Sequence, residues 1–346
     1  MNSLLALAGI LLVAFTLFDA LWTTIAPNGA GPLSKRMARG WWGISLWIHR
    51  RIGAHGLLAF AGPALLVVAF LVWVSGLWAG WLLLFSAEPG AVVGSTSQEP
   101  ASLFGRIYYV GFVLFTLGTG DYVPVGGTWE VLSAIASLSG LFVVTLSITY
   151  ILSVVSAVAA KRQLAGGIHS LGDTPADFVL RAWDGGSFNG LDQHLPALAS
   201  ALEHHAQRHL AYPVLHYFHA TSQRAAMGPA VAVLDEALLL LAEGVVETAR
   251  PTPAILAPAR RTVARFLDTL GDSFIKPATT SPPPPSLVLL RTSGVPVVKD
   301  EVFMQAVSSQ DRRRRLLREL VEDGGWAWSD VARGGATSSS SGGTAP

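Results

Sequence analysis

The stretch Thr116-Leu117-Gly118-Thr119-Gly120-Asp121 directly follows a short, largely apolar run, 104–115, and lies between two long apolar segments. The short run cannot cross a bilayer as a helix, since that takes about 20 apolar residues. A chain that enters the membrane there must come back on the same side. Non-helical backbone at membrane depth is tolerated only where protein surrounds it or where it lines a water-filled path. The stretch therefore predicts a re-entrant turn in a membrane protein.

The composition indicates a membrane region followed by a soluble one. Of the 346 residues, 51% are hydrophobic, the mean hydropathy is +0.46, and the long uncharged runs precede Lys161. A formal net charge of +1 gives no global field that would attract nucleic acid. The absence of cysteine excludes disulfides and thiolate metal sites. No phosphate-binding glycine motif, paired carboxylates or nucleophile–base spacing is visible, so we expect neither an enzyme nor a cofactor.

Three segments are predicted to span the membrane: 4–25, 57–87 and 131–160, the last closed by Lys161 and Arg162. No basic residue precedes Lys35, so an uncleaved first helix is expected rather than a signal peptide. Asp19 interrupts that helix, and a carboxylate at membrane depth costs about 2.5–3.5 kcal/mol on insertion scales. Two interpretations stay open for Asp19: a polar contact with the other membrane helices, or a position near enough to the helix end to reach the headgroups.

Segment 32–52 combines basic and apolar residues. It contains Lys35, Arg36, Arg39, Arg50 and Arg51 together with Trp41, Trp42, Trp47, Ile44 and Ile48. This mixture predicts an amphipathic helix that lies on the membrane surface and binds lipid. The alternative is an ordinary cytoplasmic linker with basic residues.

The orientation follows from the basic residues in the short loops. The linker 27–56 carries five Lys and Arg residues, whereas the loop 88–102 carries none. The positive-inside rule places the linker and Lys161-Arg162 in the cytoplasm. The N-terminus and the mouth of the re-entrant turn are then outside, and the protein is expected in the plasma membrane with a cytoplasmic C-terminal part.

The C-terminal part, 163–333, reads as a helical cytoplasmic domain. Helical spacing of apolar residues predicts helices at 197–208, 231–249, 254–270 and 301–322, and breakers lie at Gly185-Gly186, Pro213, 251–253 and 281–285. The run Arg312 to Arg315 has two interpretations, a patch for lipid headgroups or a partner, or the solvated face of a helix. Residues 334–346 are predicted to be a disordered tail.

The backbone of the opening stretch is expected to be suited to passing ions. A dehydrated cation needs oxygens in place of its water shell, and four copies of an extended strand supply rings of carbonyls around one axis. Gly118 and Gly120 tolerate the positive φ values that aim successive carbonyls at that axis. Carbonyls of Thr116, Leu117, Gly118 and Thr119 are expected to hold the ion. Asp121 adds a carboxylate at the outer mouth.

This arrangement resembles the potassium-channel family, whose filter usually reads Thr-Val-Gly-Tyr-Gly-Asp. The resemblance covers 57–162, in the family's order of outer helix, pore helix, filter and inner helix, with an extra N-terminal helix before it. Tyr108 and Tyr109 stand where the family often has tryptophans, and Gly140 stands at the expected inner-helix hinge. Leu141, Val144, Ile148 and Leu152 fall near the expected cavity and inner gate.

Two residues depart from the family pattern. Thr119 replaces the usual tyrosine, whose ring packs on pore-helix aromatics and holds the filter at width. Phe112 stands where some bacterial members have a buried glutamate behind the filter. The resemblance implies a K⁺-selective homotetramer, because one chain supplies one pore loop. A weakly selective K⁺/Na⁺ channel and a non-conducting membrane-anchored sensor or regulatory subunit remain alternatives.

The predicted organisation is an all-α membrane protein with three spanning helices, a re-entrant pore helix and filter, and a helical cytoplasmic domain. Its parts are 1–56, the N-terminal and interfacial helices; 57–162, the pore domain; 163–333, the cytoplasmic domain; and 334–346, the tail. No helix shows the regular arginine spacing of a voltage sensor. His205 and His209 lie one helical turn apart, which suits metal binding or pH sensing, with neutral structural histidine as the alternative.

Overall fold

The computed structural model describes residues 2–26, 29–53, 55–118 and 120–333. The fold is all-α, as predicted, apart from one pair of short strands. The thirteen α-helices of the described residues are α1 Ser3–Ile25, α2 Pro32–Ile52, α3 His55–Ser86, α4 Leu103–Leu114, α5 Gly127–Leu171, α6 Pro175–Ala182, α7 Leu191–Ala211, α8 Met227–Leu239, α9 Pro253–Ser273, α10 Val288–Thr292, α11 Asp300–Ser308, α12 Asp311–Asp323 and α13 Trp328–Arg333. The strands are β1 Val92–Gly94 and β2 Tyr122–Pro124. The predicted tail lies outside the described residues.

Helices α1, α3 and α5 are long and apolar enough to cross a membrane. The first two agree with the predicted spans to within two residues at each end, but α5 corrects the third. It does not end at Lys161-Arg162 and continues to Leu171. A charged pair marks the end of an apolar run, whereas a helix ends only where its backbone is broken. Here the helix runs on until just before Gly172, where a Cβ would clash with the backbone of Phe178.

The chain forms two compact units. The first consists of 1–42, 62–155 and 210–214, and the second of 43–61, 156–209 and the residues from 215 onward. Helices α2, α3 and α5 therefore each contribute to both units. The first unit contains the apolar stretches and the quoted hexapeptide, and the second contains the larger core.

In the first unit, α1 packs against α3 through small residues. A Cβ on Gly9 would lie 2.6 Å from the carbonyl oxygen of Gly80, and one on Gly80 would lie 2.7 Å from a methyl group of Val13. A Cβ on Gly76 would meet the hydroxyl of Thr16 at 2.6 Å. Small residues four apart on a membrane helix let a second backbone approach closely. Glycine spacing on α3 thus seats the N-terminal helix against it.

Asp19 of α1 is fully buried in this contact. Its carboxylate accepts hydrogen bonds from the backbone N–H of Leu33 (2.8 Å), the hydroxyl of Ser34 (2.6 Å) and the indole N–H of Trp73 on α3 (3.0 Å). A buried charge is tolerated when it is satisfied in this way, and an acidic group also suits the N-terminus of a helix, here α2. The interpretation as a contact with the other membrane helices therefore holds, and the headgroup interpretation does not.

The second unit is built around α8. All of its residues except Gly228 are buried, which is typical of a helix in the middle of a core. Phe178 of α6, Phe266 of α9 and Leu317 of α12 belong to the same buried cluster. The prediction of one helix over 231–249 is wrong at its end: α8 stops at Leu239, and a π-turn, Leu240–Gly244, follows. The predicted helix 301–322 is two helices, α11 and α12.

The arginine run at the start of α12 corrects both interpretations of it. Arg314 is 3% exposed; it donates to Glu236 of α8 and to the carbonyls of Pro282 and Pro283. Arg313 pairs with Asp235, which is also buried. The run is therefore neither a lipid patch nor a purely solvated face, because two of its guanidinium groups are internal partners for α8.

Candidate pore helix and filter

Helix α4 leads into the hexapeptide and is held from two sides. Its N-cap is Ser102, whose hydroxyl accepts from the backbone N–H of Gly105 at 3.1 Å. The indole of Trp78 on α3 donates to the carbonyl of Ile107 at 3.1 Å. The hydroxyl of Tyr109 lies 2.6 Å from that of Ser133 on α5. One hydrogen bond to each long helix thus fixes the position of α4 in the first unit.

The backbone changes direction directly after α4. Thr116 has φ +57° and Gly118 has φ +67°, so two residues at alternate positions adopt the left-handed region. A β-branched residue rarely adopts this conformation, which must be held by its surroundings. The N–H groups of Thr116 and Leu117 donate to the carbonyls of Val113 and Phe112, which ties this turn to the last turn of α4. Thr119 lies outside the described residues.

The C-terminal end of the hexapeptide is anchored at Asp121. The hydroxyl of Tyr108 donates to its carboxylate at 3.4 Å, and its carbonyl accepts from the N–H of Ser95 at 2.9 Å. Strand β2, which begins with the next residue, pairs antiparallel with β1. The two loops flanking α4 therefore meet in a small sheet, and that sheet fixes where the hexapeptide ends.

The aromatic residues of α4 have separate partners. Tyr109 is buried and packs edge-on against Phe85 of α3, with ring centroids 5.5 Å apart. Tyr108 is exposed, and its ring centroid lies 4.3 Å from that of Phe112. Phe112 thus supports the tyrosine that braces Asp121, in the place where a glutamate would have offered a charge.

Gly140 of α5 lies against the C-terminal end of α4. A Cβ at this position would overlap the carbonyl oxygen of Leu114. The residue is therefore a close contact between the two helices just before the hexapeptide begins. α5 runs through Gly140 without interruption.

A match with a known protein family covers the helices and the hexapeptide described above. Residues 65–157 match a family model described as an ion channel, and the match covers α4, the hexapeptide and most of α3 and α5. This region belongs to an ion-channel family of the two-helix, pore-loop and potassium-channel type. The family consists of channels rather than enzymes.

One relative resembles the chain over nearly its whole length. An uncharacterized membrane protein of Bacillus subtilis (strain 168), YdjJ, is 38% identical over 330 residues, which cover 95% of this chain and 96% of the relative. The similarity therefore includes the additional N-terminal helix and the second unit as well as the channel region. No solved structure matches the chain significantly.

The predicted inner face of the channel helix α5 is mostly uncovered in the single chain. Leu141, Ile148 and Leu152 are exposed, and Val144 is partly exposed. These positions recur at a spacing of three to four residues, so they lie along one side of α5. An apolar stripe of this kind suits a cavity lining or a contact with a further subunit.

His205 and His209 lie far from these channel elements in sequence, within the core of the second unit. Both rings are buried, and none of their four nitrogen atoms has a hydrogen-bond partner. Burial lowers the pKa of His205 to about 3 and the pKa of His209 well below its ordinary value, because the interior disfavours the charged form. Among the described residues, no cluster of three potential metal ligands occurs. The geometry favours neutral structural histidines.

Sequence reasoning missed several residues that hold this site. Trp78, Ser133 and Ser95 each make one of the hydrogen bonds described above, and the ring of Tyr122 fills the space beside Gly105. Single serines and tryptophans carry no motif, so no pattern identified them. Only the pairing of β1 with β2 could have been suspected, from the valines that flank the two loops.

Proposed function

We propose that this chain forms a homotetrameric K⁺ channel whose filter is the stretch Thr116 to Asp121. The observation that carries the proposal is the pair of left-handed residues, Thr116 and Gly118, directly after α4. Alternate residues of this kind turn successive carbonyls toward the same side, as a ring of ion-coordinating oxygens requires. Tyr108 and Ser95 hold the outer end of the stretch through Asp121.

Assembly into a tetramer would enclose the stretch, which is open in the single chain. Leu117 is 67% exposed and Gly118 is also exposed in the single chain, so the stretch has no enclosing wall of its own. Four loops around an axis would face one another and create the rings, and closed cyclic symmetry is the usual way in which identical chains do this. The exposed side of α5 would then line the path below the filter.

The proposal also includes an orientation in the membrane and a role for the C-terminal region. We propose that the filter mouth faces outward across the plasma membrane and that the helical C-terminal region lies in the cytoplasm, where it gates or assembles the pore. The support is the charge difference between the two loops. On α2, Trp47 and Ile44 are exposed, and the guanidinium of Arg51 lies 4.2 Å from the Trp47 ring centre. This combination suits a helix at the lipid headgroups.

A weakly selective K⁺/Na⁺ channel is the second candidate. Thr119 stands where the family has a stiffening tyrosine, and a less rigid filter would discriminate less between the two ions. Reversal potentials measured with K⁺ on one side and Na⁺ on the other distinguish the candidates. A permeability ratio far above one supports K⁺ selectivity, and a ratio near one supports the weak channel.

Substitution of Gly118 by alanine tests the filter assignment. Nothing lies within 4 Å of a Cβ there, but φ is +67°, a conformation that costs a non-glycine residue about 1–2 kcal/mol. We expect the purified tetramer to form and its K⁺ flux in liposomes to be lost. Gly90→Ala is the control, since it has neither a close neighbour nor a positive φ. Normal flux in Gly118→Ala would overturn the assignment, and an inactive wild-type tetramer would favour the sensor or regulatory subunit.

A further inference from the structure

Three histidines and a tryptophan form a compact group in the second unit, the histidine latch: His49, His55, His219 and Trp326. The ring centroids of His49 and His55 are 4.6 Å apart, and those of His55 and His219 are 5.2 Å apart. Trp326 stacks on His55 at 4.7 Å and on His219 at 5.6 Å. His49 is 7% exposed, and its Nδ1 atom has no hydrogen-bond partner.

The latch joins parts of the chain that are far apart in sequence. His49 lies near the end of α2, and His55 is the first residue of α3, the outer helix of the channel region. His219 and Trp326 belong to the C-terminal region. A Cβ on Gly325 would lie 2.8 Å from a methyl group of Leu58, so the backbone beside Trp326 also touches the first turns of α3. The connection between α2 and α3 is thus tied to the C-terminal region at this group.

The hydrogen bonds fix the neutral state of the two central rings. His219 Nδ1 lies 2.8 Å from the carbonyl oxygen of Gly324, and a carbonyl only accepts, so Nδ1 carries the hydrogen. A neutral imidazole then has a bare Nε2 atom. This Nε2 lies 3.0 Å from Nδ1 of His55, which must donate. Each ring therefore uses its single hydrogen to hold the next group.

Protonation of both His55 and His219 removes this arrangement. One additional proton can be accommodated on the outer Nε2 of His55, which leaves the bond across the 3.0 Å gap in place. A second must bind Nε2 of His219, which places a hydrogen on both facing nitrogens and a positive charge on both rings. Two adjacent cations repel each other most strongly where water is scarce. The bond between His55 and His219 then cannot form, and the stacked rings separate.

The charged groups around the latch act in both directions. His49 of α2 and Lys161 of α5 oppose a positive charge on His219, and Asp330 of α13 favours one on His55. Lys161 itself is held by the carbonyls of Leu215 and Phe218. Burial, followed by the neighbouring His55, lowers the pKa of His219 to about 4. The closed latch therefore takes up a proton on His219 less readily than a free histidine does.

We propose that the histidine latch is an acid-sensitive switch, closed when its rings are neutral, that releases the α2–α3 connection from the C-terminal region when protons bind. The inference rests on the proposed channel function for its consequence, because α3 is the outer helix of the channel. The release itself does not depend on the protein being a channel.

The direction of the pH effect follows from the pKa of His219 in the released and in the closed latch. A released His219 binds protons near its ordinary pKa of about 6.5, whereas in the closed latch the pKa is about 4. Acid therefore favours release, and the closed fraction is highest above pH 6.5. Between those values, each unit of falling pH lowers the closed-to-released ratio by about tenfold.

Hydrogen exchange of the full-length protein in lipid nanodiscs tests the release without any ion flux. We expect exchange in the peptides that contain 49–58 and 215–220 to rise between pH 7.5 and pH 4.5, after correction for intrinsic exchange. The variant His219→Phe keeps a stacking ring but cannot be protonated, so its corrected exchange should not change with pH. His194→Gln replaces an exposed histidine and should behave as the wild type. Equal exchange in the wild type at both values would overturn the proposal.

K⁺ flux in liposomes then tests the coupling. His219→Ala removes the bond at any pH, so its flux at pH 7.5 should equal that of the wild type at pH 4.5 and differ several-fold from that of the wild type at pH 7.5. If hydrogen exchange responds to acid but the wild-type flux is the same at pH 7.5 and pH 4.5, the coupling to the channel is overturned. Exchange that responds to acid in a protein without flux at any pH would support the latch and count against the channel function.

Discussion

At the scale of the residue, Gly140 has a role that the sequence alone does not reveal. The resemblance to potassium channels implies a hinge at this position, a place where a helix bends because glycine restricts the backbone least. In the structure the same residue is a contact surface, since the carbonyl of Leu114 occupies the space of a Cβ. The two roles make different demands, because a hinge tolerates alanine better than a contact without free space does.

Gly140→Ala is therefore expected to destabilise the protein by about 1–3 kcal/mol, the usual cost of overpacking a tight contact. Thermal unfolding in detergent, followed by tryptophan fluorescence, measures the effect. Gly166→Ala is the matched control: it lies in the same helix, but nothing lies within 4 Å of its Cβ. Alanine favours a helix over glycine by about 0.8–1 kcal/mol, so the control should melt at the wild-type temperature or above it. Similar melting of the two variants would exclude the contact.

At the scale of the element, α12 is attached to α8 through charge as well as through apolar packing. Arg314 and Glu236 are 3% and 2% exposed, and two guanidinium nitrogens reach the carboxylate at 2.8 and 3.3 Å. The same guanidinium donates to the carbonyls of Pro282 and Pro283 at 3.0 and 2.7 Å. One side chain thus fixes α12, α8 and the extended proline segment together.

Arg314→Met should cost about 3–5 kcal/mol, because it leaves the carboxylate of Glu236 buried without its partner. The double variant Glu236→Met and Arg314→Met should recover most of that loss, since neither charge then remains. Arg312→Met is the control, and its change should stay within about 0.5 kcal/mol, as for exposed ion pairs. That guanidinium is exposed and lies 3.7 Å from Asp268. Denaturant unfolding measures all three, and an equal loss in the single and double variants would contradict the expectation.

The helix bounds also show which parts of the secondary structure can be predicted from sequence patterns. The bounds of α2 were predicted to the residue, and those of α1, α3 and α4 to within two residues, because apolar runs and polar breakers mark the ends of membrane helices directly. The helices 231–249 and 301–322 were misplaced. Their apolar periodicity continues across a π-turn and across Ser309 and Gln310, and periodicity does not distinguish one helix from two that share a core.

At the scale of the whole molecule, the exposed side of α5 is where the proposed tetramer can be tested. Leu141, Ile148 and Leu152 form an apolar stripe on that side. The chain contains no cysteine, so a single introduced cysteine reports one position without a background signal. The cavity interpretation can therefore be tested residue by residue.

Ile148→Cys is expected to react with a charged, water-soluble thiol reagent and to lose roughly tenfold in flux, because a bulky charge in a narrow apolar path blocks conduction. Phe142→Cys is the control, since this residue is also exposed but lies on a different side of α5. Flux through reconstituted protein, before and after the reagent, is the measurement. Equal block in both variants would contradict the assignment of the cavity face, and so would an unaffected Ile148→Cys.

The sequence by itself determined the class of the molecule, the presence of three helices long and apolar enough to span a membrane, and the hexapeptide. Each of these is written in consecutive residues as hydropathy or as a short motif. The tertiary structure decided which side chains hold the hexapeptide: Tyr108 at Asp121, Ser95 from a distant loop, and Leu114 against Gly140. It also paired two arginines of the run 312–315 with buried acidic residues of α8 and placed His55 in contact with His219. These contacts join residues that are 13 to 164 positions apart, and a pairing over such distances is set by packing, which leaves no local pattern in the chain.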